Sequence, residues 1–295
     1  MANVLKELSS SLRETIARAA AFTVGLEHEP YSVSGVLIGG DRVLTASHLV
    51  PDEGTAVLMP DGSTMKAKLA GRDPIHDLAL LRLEGKVSAA APATGSAEVG
   101  DLVVSVKRDP FDGINASLAM VSARGAKLKL GRSGVLARYL QTDADRLMGS
   151  TGGPLLNAEG ALVGVLTFNR RMGAEVVIPA DLALERAKLI EEKGSLQRPY
   201  LGVRSQAVAL PKGARDALKG SQETGLLLVS VERGNAAEAA GLEVGDIVVS
   251  FGGVPVPDHE ALVAALAERG AGARIDVQVV RGGALRTVSL TIGGV

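Results

Sequence analysis

Short apolar segments separated by turn residues fill the chain between Phe22 and Ile178. Segments such as Leu78 to Leu83 and Leu162 to Phe168 are rich in Val and Leu, and Gly, Asp and Pro lie between the segments. Many short strands at this spacing are typical of a β-barrel or a β-sandwich, and a turn such as Gly39-Gly40-Asp41 supplies the positive φ angles of a hairpin. The pattern therefore predicts a mainly β fold for this part of the chain.

Helical periodicity flanks the β region. Apolar residues recur at helical spacing from Val4 to Ala20, and this stripe can pack either on its own domain or on a neighbouring subunit. A second helical stretch, Pro179 to Lys193, leads into further strands and a helix over 258–269 with Asp258 as its N-cap. The predicted boundaries are an amphipathic helix at 1–21, a β domain at 22–182, a helical linker at 183–199 and a smaller α+β domain at 200–295.

The composition excludes several kinds of site. The chain has 295 residues, a formal net charge of -1, four His and no Cys. Without Cys there are no disulfides and no thiolate ligands, and His28, His76 and His259 are not spaced as metal ligands. The near-zero net charge gives no overall attraction to nucleic acid. We expect no metal, no cofactor and no nucleic-acid partner.

Charged residues interrupt every apolar stretch at the N-terminus, among them Lys6, Glu7, Arg13 and Glu14. A signal peptide needs a continuous apolar region, and a membrane span needs a longer one. As written, the chain is expected to be cytoplasmic and to have no membrane span. A mature domain cut from a longer exported precursor would look the same and would be extracytoplasmic.

Three residues follow one another in the order base, orienter and nucleophile. His48 ends the segment Val43 to His48, Asp77 precedes the apolar segment at Leu78, and Thr151 lies in a glycine-rich loop. A hydroxyl is a poor nucleophile at neutral pH, so it needs an imidazole to accept its proton and a carboxylate to fix the imidazole tautomer. His48, Asp77 and Thr151 are therefore the candidate catalytic residues.

The loop around Thr151 has the composition of an oxyanion hole. Gly149 and Gly152-Gly153 allow the tight turn that directs the N–H groups of Gly149 and Thr151 at a developing negative charge. A phosphate-binding loop is the competing interpretation. It is disfavoured because no Lys-Ser or Lys-Thr pair follows and the next segment predicts a strand rather than a helix.

With these motifs the chain resembles the HtrA family of trypsin-fold proteases with a C-terminal PDZ domain, over nearly all of residues 22–293. The resemblance is carried by Gln141-Thr142-Asp143-Ala144, Pro154-Leu155-Leu156-Asn157, Val177-Ile178-Pro179-Ala180 and Tyr200-Leu201-Gly202-Val203. It implies a trypsin-like double β-barrel of two six-stranded barrels, then a PDZ domain. It also implies that His48 is the general base, Asp77 its orienter and position 151 the nucleophile, in a homo-oligomer that is a trimer.

The C-terminal domain has the pattern of a peptide-binding module. In Tyr200, Leu201, Gly202 and Val203 a glycine lies between apolar residues, which suits a loop whose amides bind a peptide's terminal carboxylate. The strand that follows would accept an added β-strand. His259 begins the helix that forms the other wall of the groove, where it either contacts the peptide or is simply exposed.

The chain departs from the family at the chemistry itself. Leu147-Met148-Gly149-Ser150-Thr151 stands where the family has Asn-Pro-Gly-Asn-Ser, and Asp145 and Arg146 replace small or apolar residues near the specificity pocket. The Thr151 methyl group and stiff χ1 hinder alignment of the hydroxyl with His48. We expect a silent or very weak protease homologue that binds unfolded or C-terminal peptides. The alternatives are a slow endopeptidase that uses Thr151 and a regulatory subunit joined to active HtrA-type subunits.

Overall fold

The computed structural model describes residues 3–27, 33–85, 87, 89–126, 128–129, 135–136, 138–144, 149–169, 174–218 and 222–295. The chain divides into two compact units, Met1–Leu196 and Gln197–Val295. The first unit contains two helices, α1 Val4–Ala20 and α2 Ala180–Lys193.

Six strands of the first unit close into a barrel. They are β1 Thr23–Leu26, β2 Val33–Leu37, β3 Arg42–Ala46, β4 Thr55–Leu58, β5 Thr64–Asp73 and β6 Leu78–Leu83. The order around the barrel is β1-β2-β3-β6-β5-β4, and a single turn of 3-10 helix, Ser47–Leu49, follows β3. Strand β6 is buried on both faces, because Leu80 and Leu81, which point to opposite sides of the strand, are both fully buried.

A second closed barrel follows in the same unit. Its strands are β7 Leu102–Asp109, β8 Gly113–Gly125, β11 Tyr139–Thr142, β12 Pro154–Asn157, β13 Leu162–Asn169 and β14 Ala174–Pro179, in the order β11-β14-β13-β12-β7-β8. Two short strands, β9 Leu128–Lys129 and β10 Val135–Leu136, pair separately. Buried and exposed side chains alternate along strand β8, because one face of the strand is exposed. Ala119 and Val121 are buried, and Leu118 and Met120 are exposed. The predicted mainly β, double-barrel fold is confirmed.

The apolar stripe of α1 packs against the core along only part of its length. Leu12 and Ile16 pack against the core of the first unit, whereas Leu5 is 75% exposed near the start of the helix. Arg108 holds the other end, donating from Nη2 to the Ala20 carbonyl at 2.7 Å. The C-terminal half of the stripe therefore packs on its own domain, and the N-terminal half is uncovered.

A buried carboxylate connects α2 to the turn between β5 and β6. Asp73 is fully buried, and its Oδ2 accepts hydrogen bonds from Arg186 Nε at 2.6 Å and His76 Nδ1 at 2.8 Å. Its Oδ1 accepts the N–H groups of Ile75 and His76. Burial raises the pKa of Asp73, but the hydrogen bonds and charges of His76 and Arg186 outweigh it and hold the pKa below its ordinary value. The turn that ends at Asp77 is thereby fixed.

The second unit is a sheet with three helices. Its strands are β15 Pro199–Tyr200, β16 Val203–Ala209, β17 Thr224–Val231, β18 Ile247–Phe251, β19 Val254–Pro255, β20 Arg274–Arg281, β21 Ala284–Thr291 and β22 Gly293–Gly294; its helices are α3 Lys212–Ala217, α4 Ala236–Ala239 and α5 His259–Arg269. The order is β16-β17-β18-β20-β21, so β16 is an edge strand. The predicted N-cap is confirmed, since Asp258 Oδ1 accepts the Ala261 N–H at 2.8 Å.

The two halves of the α1 stripe are expected to respond differently to a buried charge. Ile16→Asp places a carboxylate against the core and is expected to lower the free energy of unfolding by about 2 kcal/mol. Leu5→Asp is expected to change it by less than about 0.5 kcal/mol. Urea unfolding measures both, and an unchanged Ile16→Asp protein would contradict the docking of α1. Light scattering of Leu5→Asp then reports whether the uncovered half forms a subunit interface.

The Asp73 cluster predicts a pH-dependent stability. Because the pKa of Asp73 is depressed in the folded state, its stabilisation is present above the unfolded-state pKa and is lost as pH falls below about 4. Asp73→Asn is expected to destabilise the protein by about 3 kcal/mol at pH 7, and the difference from wild type should narrow below pH 4. The exposed pair Asp181 with Arg138 supplies the control, Asp181→Asn, which should cost little. A pH-independent difference in urea unfolding would refute the assignment.

Candidate active site

His48 and Asp77 are brought together by two neighbouring strands. His48 lies in the turn that follows β3, and Asp77 immediately precedes β6, which pairs with β3. His48 Nδ1 is 2.7 Å from Asp77 Oδ2, and the His48 backbone N–H donates to Asp77 Oδ1 at 2.9 Å. This network assigns the proton to Nδ1, so Nε2 carries the lone pair that a general base needs.

Asp77 is held in a conformation that few non-glycine residues adopt. Its φ is 53°, in the left-handed region. The Asp77 carbonyl accepts the Ser47 N–H at 2.9 Å, and its carboxylate accepts a third hydrogen bond from the hydroxyl of Thr167. Backbone strain of this kind costs about 1–3 kcal/mol and persists only where the surroundings fix it, as these hydrogen bonds do.

The pattern of Leu162 to Phe168 predicts a strand and does not identify Thr167 as part of the site. Thr167 lies on β13 of the second barrel, is almost fully buried, and reaches Asp77 of the first barrel. Its signal was available, because Thr167 is the only polar residue in that otherwise apolar segment.

The carbonyl groups of the loop before β12 all point into the protein. The Gly149 carbonyl accepts from Ser34 Oγ at 2.9 Å, that of Ser150 accepts the Gly153 N–H at 2.8 Å, and that of Thr151 accepts the Ser34 N–H at 3.1 Å. Because the N–H and C=O of a trans peptide point in opposite directions, the Thr151 N–H faces away from Gly153. Within the residues that the structure describes, the Thr151 N–H has no acceptor. An oxyanion hole needs such N–H groups, and the assignment of Gly149 and Thr151 to one stays a prediction.

Gly152 is required by the close approach of the two barrels. Its φ is 86°, and a Cβ at this position would lie 2.2 Å from the Ser34 carbonyl oxygen and 2.2 Å from Thr45 Oγ1. Any side chain here would displace the first barrel from the loop. The predicted tight turn thus also sets the distance between nucleophile loop and first barrel.

Thr151 lies in the loop before β12 and is 7% exposed. Among the described residues its Oγ1 makes no hydrogen bond to His48. Ser150, the neighbouring hydroxyl, is fully buried and donates to Glu175 on β14. Asp145, Arg146, Leu147 and Met148 lie outside the described residues.

The loop before β16 presents its amides at the edge of the second sheet. The carbonyls of Leu201 and Gly202 accept the N–H groups of Ala237 and Glu232 at 2.9 and 2.8 Å. With these carbonyls turned inward, the neighbouring N–H groups are directed outward, as carboxylate binding requires. Tyr200 donates from its hydroxyl to Glu232 Oε2 at 2.7 Å and so anchors the start of the loop.

An apolar cavity lies beside this loop, between β16 and α5. Its volume is only about 10 Å³, and its lining includes Leu201, Val203, Phe251 and Leu262. His259, at the start of α5, is 3.3 Å from Ser205 Oγ through its Nδ1 atom. The groove thus has an apolar end and a polar wall.

Within the ranges that the structure describes, no cluster of three or more His, Cys, Asp or Glu side chains is placed to hold a metal ion. In the same part of the chain, no helix is both long and apolar enough to cross a membrane.

Two family models match the chain. One is described as a trypsin-like peptidase domain and matches residues 33–165, and the other is described as a PDZ domain and matches residues 199–292. A probable periplasmic serine endoprotease, DegP-like, of Rhizobium meliloti (strain 1021) is 34% identical over 271 residues, covering 88% of this chain and 53% of the relative. Its counterpart in Ectopseudomonas mendocina (strain ymp) is 33% identical over 281 residues, covering 91% and 58%. The chain spans about half the length of the curated relatives it matches.

Solved structures of similar fold are also HtrA-type or serine endoproteases. The HtrA-type protease AlgW with decapeptide is 25% identical, with a TM-score of 0.73, and the match covers 96% of this chain and 98% of that one. The serine endoprotease from Yersinia pestis is 26% identical, with a TM-score of 0.73 and coverage of 96% and 97%.

The expectation of a cytoplasmic chain is wrong. The curated relatives are named periplasmic, which points to an extracytoplasmic location. The apolar pattern of residues 1–21 carries no information on the compartment.

One conclusion follows from the two barrels with their His48 and Asp77 pair and from the matches to both domains. The chain belongs to the HtrA family of trypsin-fold serine proteases with a C-terminal PDZ domain.

Proposed function

We propose that this HtrA-family member is catalytically silent or very weak and that it binds unfolded or C-terminal peptides through its PDZ domain, in protein quality control or regulation. The observation that carries the proposal is Thr151 at the nucleophile position. Its hydroxyl makes no hydrogen bond to the imidazole among the described residues, although His48 and Asp77 are already paired at 2.7 Å.

The extra methyl group accounts for the loss of activity. Thr has a stiff χ1, so a rotamer that directs Oγ1 to His48 Nε2 places the methyl group against the substrate or the imidazole. Thr151 is buried and its loop is fixed by Ser34, so the backbone has little freedom to compensate. A displacement of about 1 Å costs on the order of a hundredfold in rate.

The second unit supports peptide binding. Strand β16 is an edge strand, the loop before it turns its carbonyls inward, and an apolar cavity lies next to Val203. A peptide could add to the edge as a strand, place its carboxylate at the amides and pack an apolar last side chain beside Val203. A solved relative, AlgW, is described with a decapeptide.

A slow endopeptidase that uses Thr151 is the second candidate. It is favoured by the intact pairing of His48 with Asp77 and by the inward carbonyls of the nucleophile loop. The curated relatives are named serine endoproteases. We also propose a periplasmic location, because the relatives are named periplasmic. We further propose a trimer in which the exposed start of α1 contacts a neighbouring subunit.

Restoring the serine distinguishes the two candidates. Thr151→Ser removes the methyl group and is expected to react with a fluorophosphonate probe at least about a hundredfold faster than the wild type. Labelling is followed by mass spectrometry, with casein cleavage as a second readout.

Two controls complete the test. His48→Ala in the Thr151→Ser background should abolish labelling, and Ser150→Ala should not affect it, since Ser150 bonds to Glu175. Rapid labelling of the wild-type protein at Thr151, with casein cleavage that Thr151→Ala abolishes, would establish the endopeptidase instead.

Peptide binding is expected to depend on Gly202. Its φ is 76°, and a Cβ there would lie 2.3 Å from Asn235 Cβ, so Gly202→Ala must displace the loop. We expect at least about a tenfold loss of affinity for a fluorescein-labelled octapeptide with an apolar C-terminal residue, measured by anisotropy. Gly283→Ala is the matched control, because Gly283 also has a positive φ, 82°, but no neighbour within 4 Å. Equal losses in both variants would contradict the role of the loop.

A further inference from the structure

An exposed arginine follows the carboxylate-binding loop directly. Arg204 is the second residue of β16, next to Val203. In the part of the chain that the structure describes, its guanidinium forms no hydrogen bond or ion pair. Neither the triad nor the apolar cavity uses it.

Arg204 lies on a different face of β16 from the apolar cavity. Side chains alternate along a strand, and the irregular pairing near Arg204 places its extra residue, Val229, on β17, so β16 itself alternates regularly. Val203 lines the cavity and Ser205 contacts His259 on α5. Arg204, between them, therefore faces away from α5.

The direction of a bound peptide follows from the position of the loop. The loop precedes β16, so a peptide whose terminal carboxylate is held there must run antiparallel to β16. Its last side chain then lies on the face of Val203. Its penultimate side chain then points to the other face, and Arg204 is the first β16 residue on that face.

The charge of Arg204 reaches the loop. The hydrogen bond to Glu232 raises the pKa of the Tyr200 hydroxyl, and the positive charge of Arg204 acts on that pKa in the opposite direction. Arg204 also follows Gly202 by only two residues, so its charge lies beside the loop and can act on a peptide bound there.

We propose that Arg204 selects peptides with an acidic penultimate residue, that is, C-termini ending in Asp or Glu followed by an apolar residue. The inference rests on the proposed peptide binding by the second unit. Opposite charges across neighbouring strands form a favourable pair, and like charges are unfavourable. The partner is therefore a peptide whose penultimate carboxylate lies beside the guanidinium.

The test compares three fluorescein-labelled octapeptides that are identical except at the penultimate residue, ending in Glu-Leu, Gln-Leu or Lys-Leu. Anisotropy on the full chain at low salt should give an affinity for Glu-Leu about two- to fivefold above that for Gln-Leu, with Lys-Leu weakest. The preference should shrink at about 0.5 M salt, because exposed charges are screened.

Variants assign the preference to one residue. Arg204→Gln should bind all three peptides equally, and Arg204→Glu should prefer Lys-Leu. Arg274→Gln removes the same charge from β20, which does not pair with β16, and should keep the wild-type preference.

The outcomes separate this inference from the proposed function. If Gln-Leu binds no better than its C-terminally amidated form, peptide binding itself is wrong. If Gln-Leu binds and the wild type does not distinguish Glu-Leu from it, or if Arg204→Gln keeps the preference, only the role of Arg204 is wrong.

Discussion

The buried residue Ser34 joins the nucleophile loop to the first barrel. It lies on β2, donates from its hydroxyl to the Gly149 carbonyl, and donates its N–H to the Thr151 carbonyl at 3.1 Å. Its own carbonyl accepts from Thr45 Oγ1 at 2.7 Å, which connects it to β3 and so to His48. Because β12, which follows the loop, belongs to the second barrel, these bonds fix the position of the loop relative to the first barrel and its His48. Thr167 makes the reciprocal connection from the second barrel to Asp77.

This framework explains how a protease-like site can remain assembled around a poor nucleophile. The bonds that shape the loop involve backbone groups of residues 149–153 and the side chains of Ser34 and Thr45. None of them uses the side chain at position 151. A methyl group can therefore be added at position 151 without disturbing the turn. The fold of the loop therefore depends on backbone groups, whereas its chemistry depends on the side chain at position 151.

The sequence predicts the elements well and their contacts less well. Turn residues and apolar runs are local signals, so the β region, helix α1 and the N-cap Asp258 could be predicted from them. The order of His48, Asp77 and Thr151 could also be recognised. The role of Ser34 could not, because it acts across a large sequence separation and looks like an ordinary strand residue. Thr167 stands out as the one polar residue of its segment, but its partner Asp77 cannot be read from the sequence. The same holds for Asp73 and Arg186, whose pairing depends on α2 packing on the first barrel.

The edge strand β16 has a consequence for the behaviour of the protein at high concentration. Unpaired N–H and C=O groups along an edge invite any extended chain, including a second copy of the same strand, and so favour self-association. A charged side chain on such an edge opposes this, because another copy brings a second guanidinium rather than a carboxylate. The charge of Arg204 thus opposes self-association through β16. It does not oppose the binding of a ligand of opposite charge.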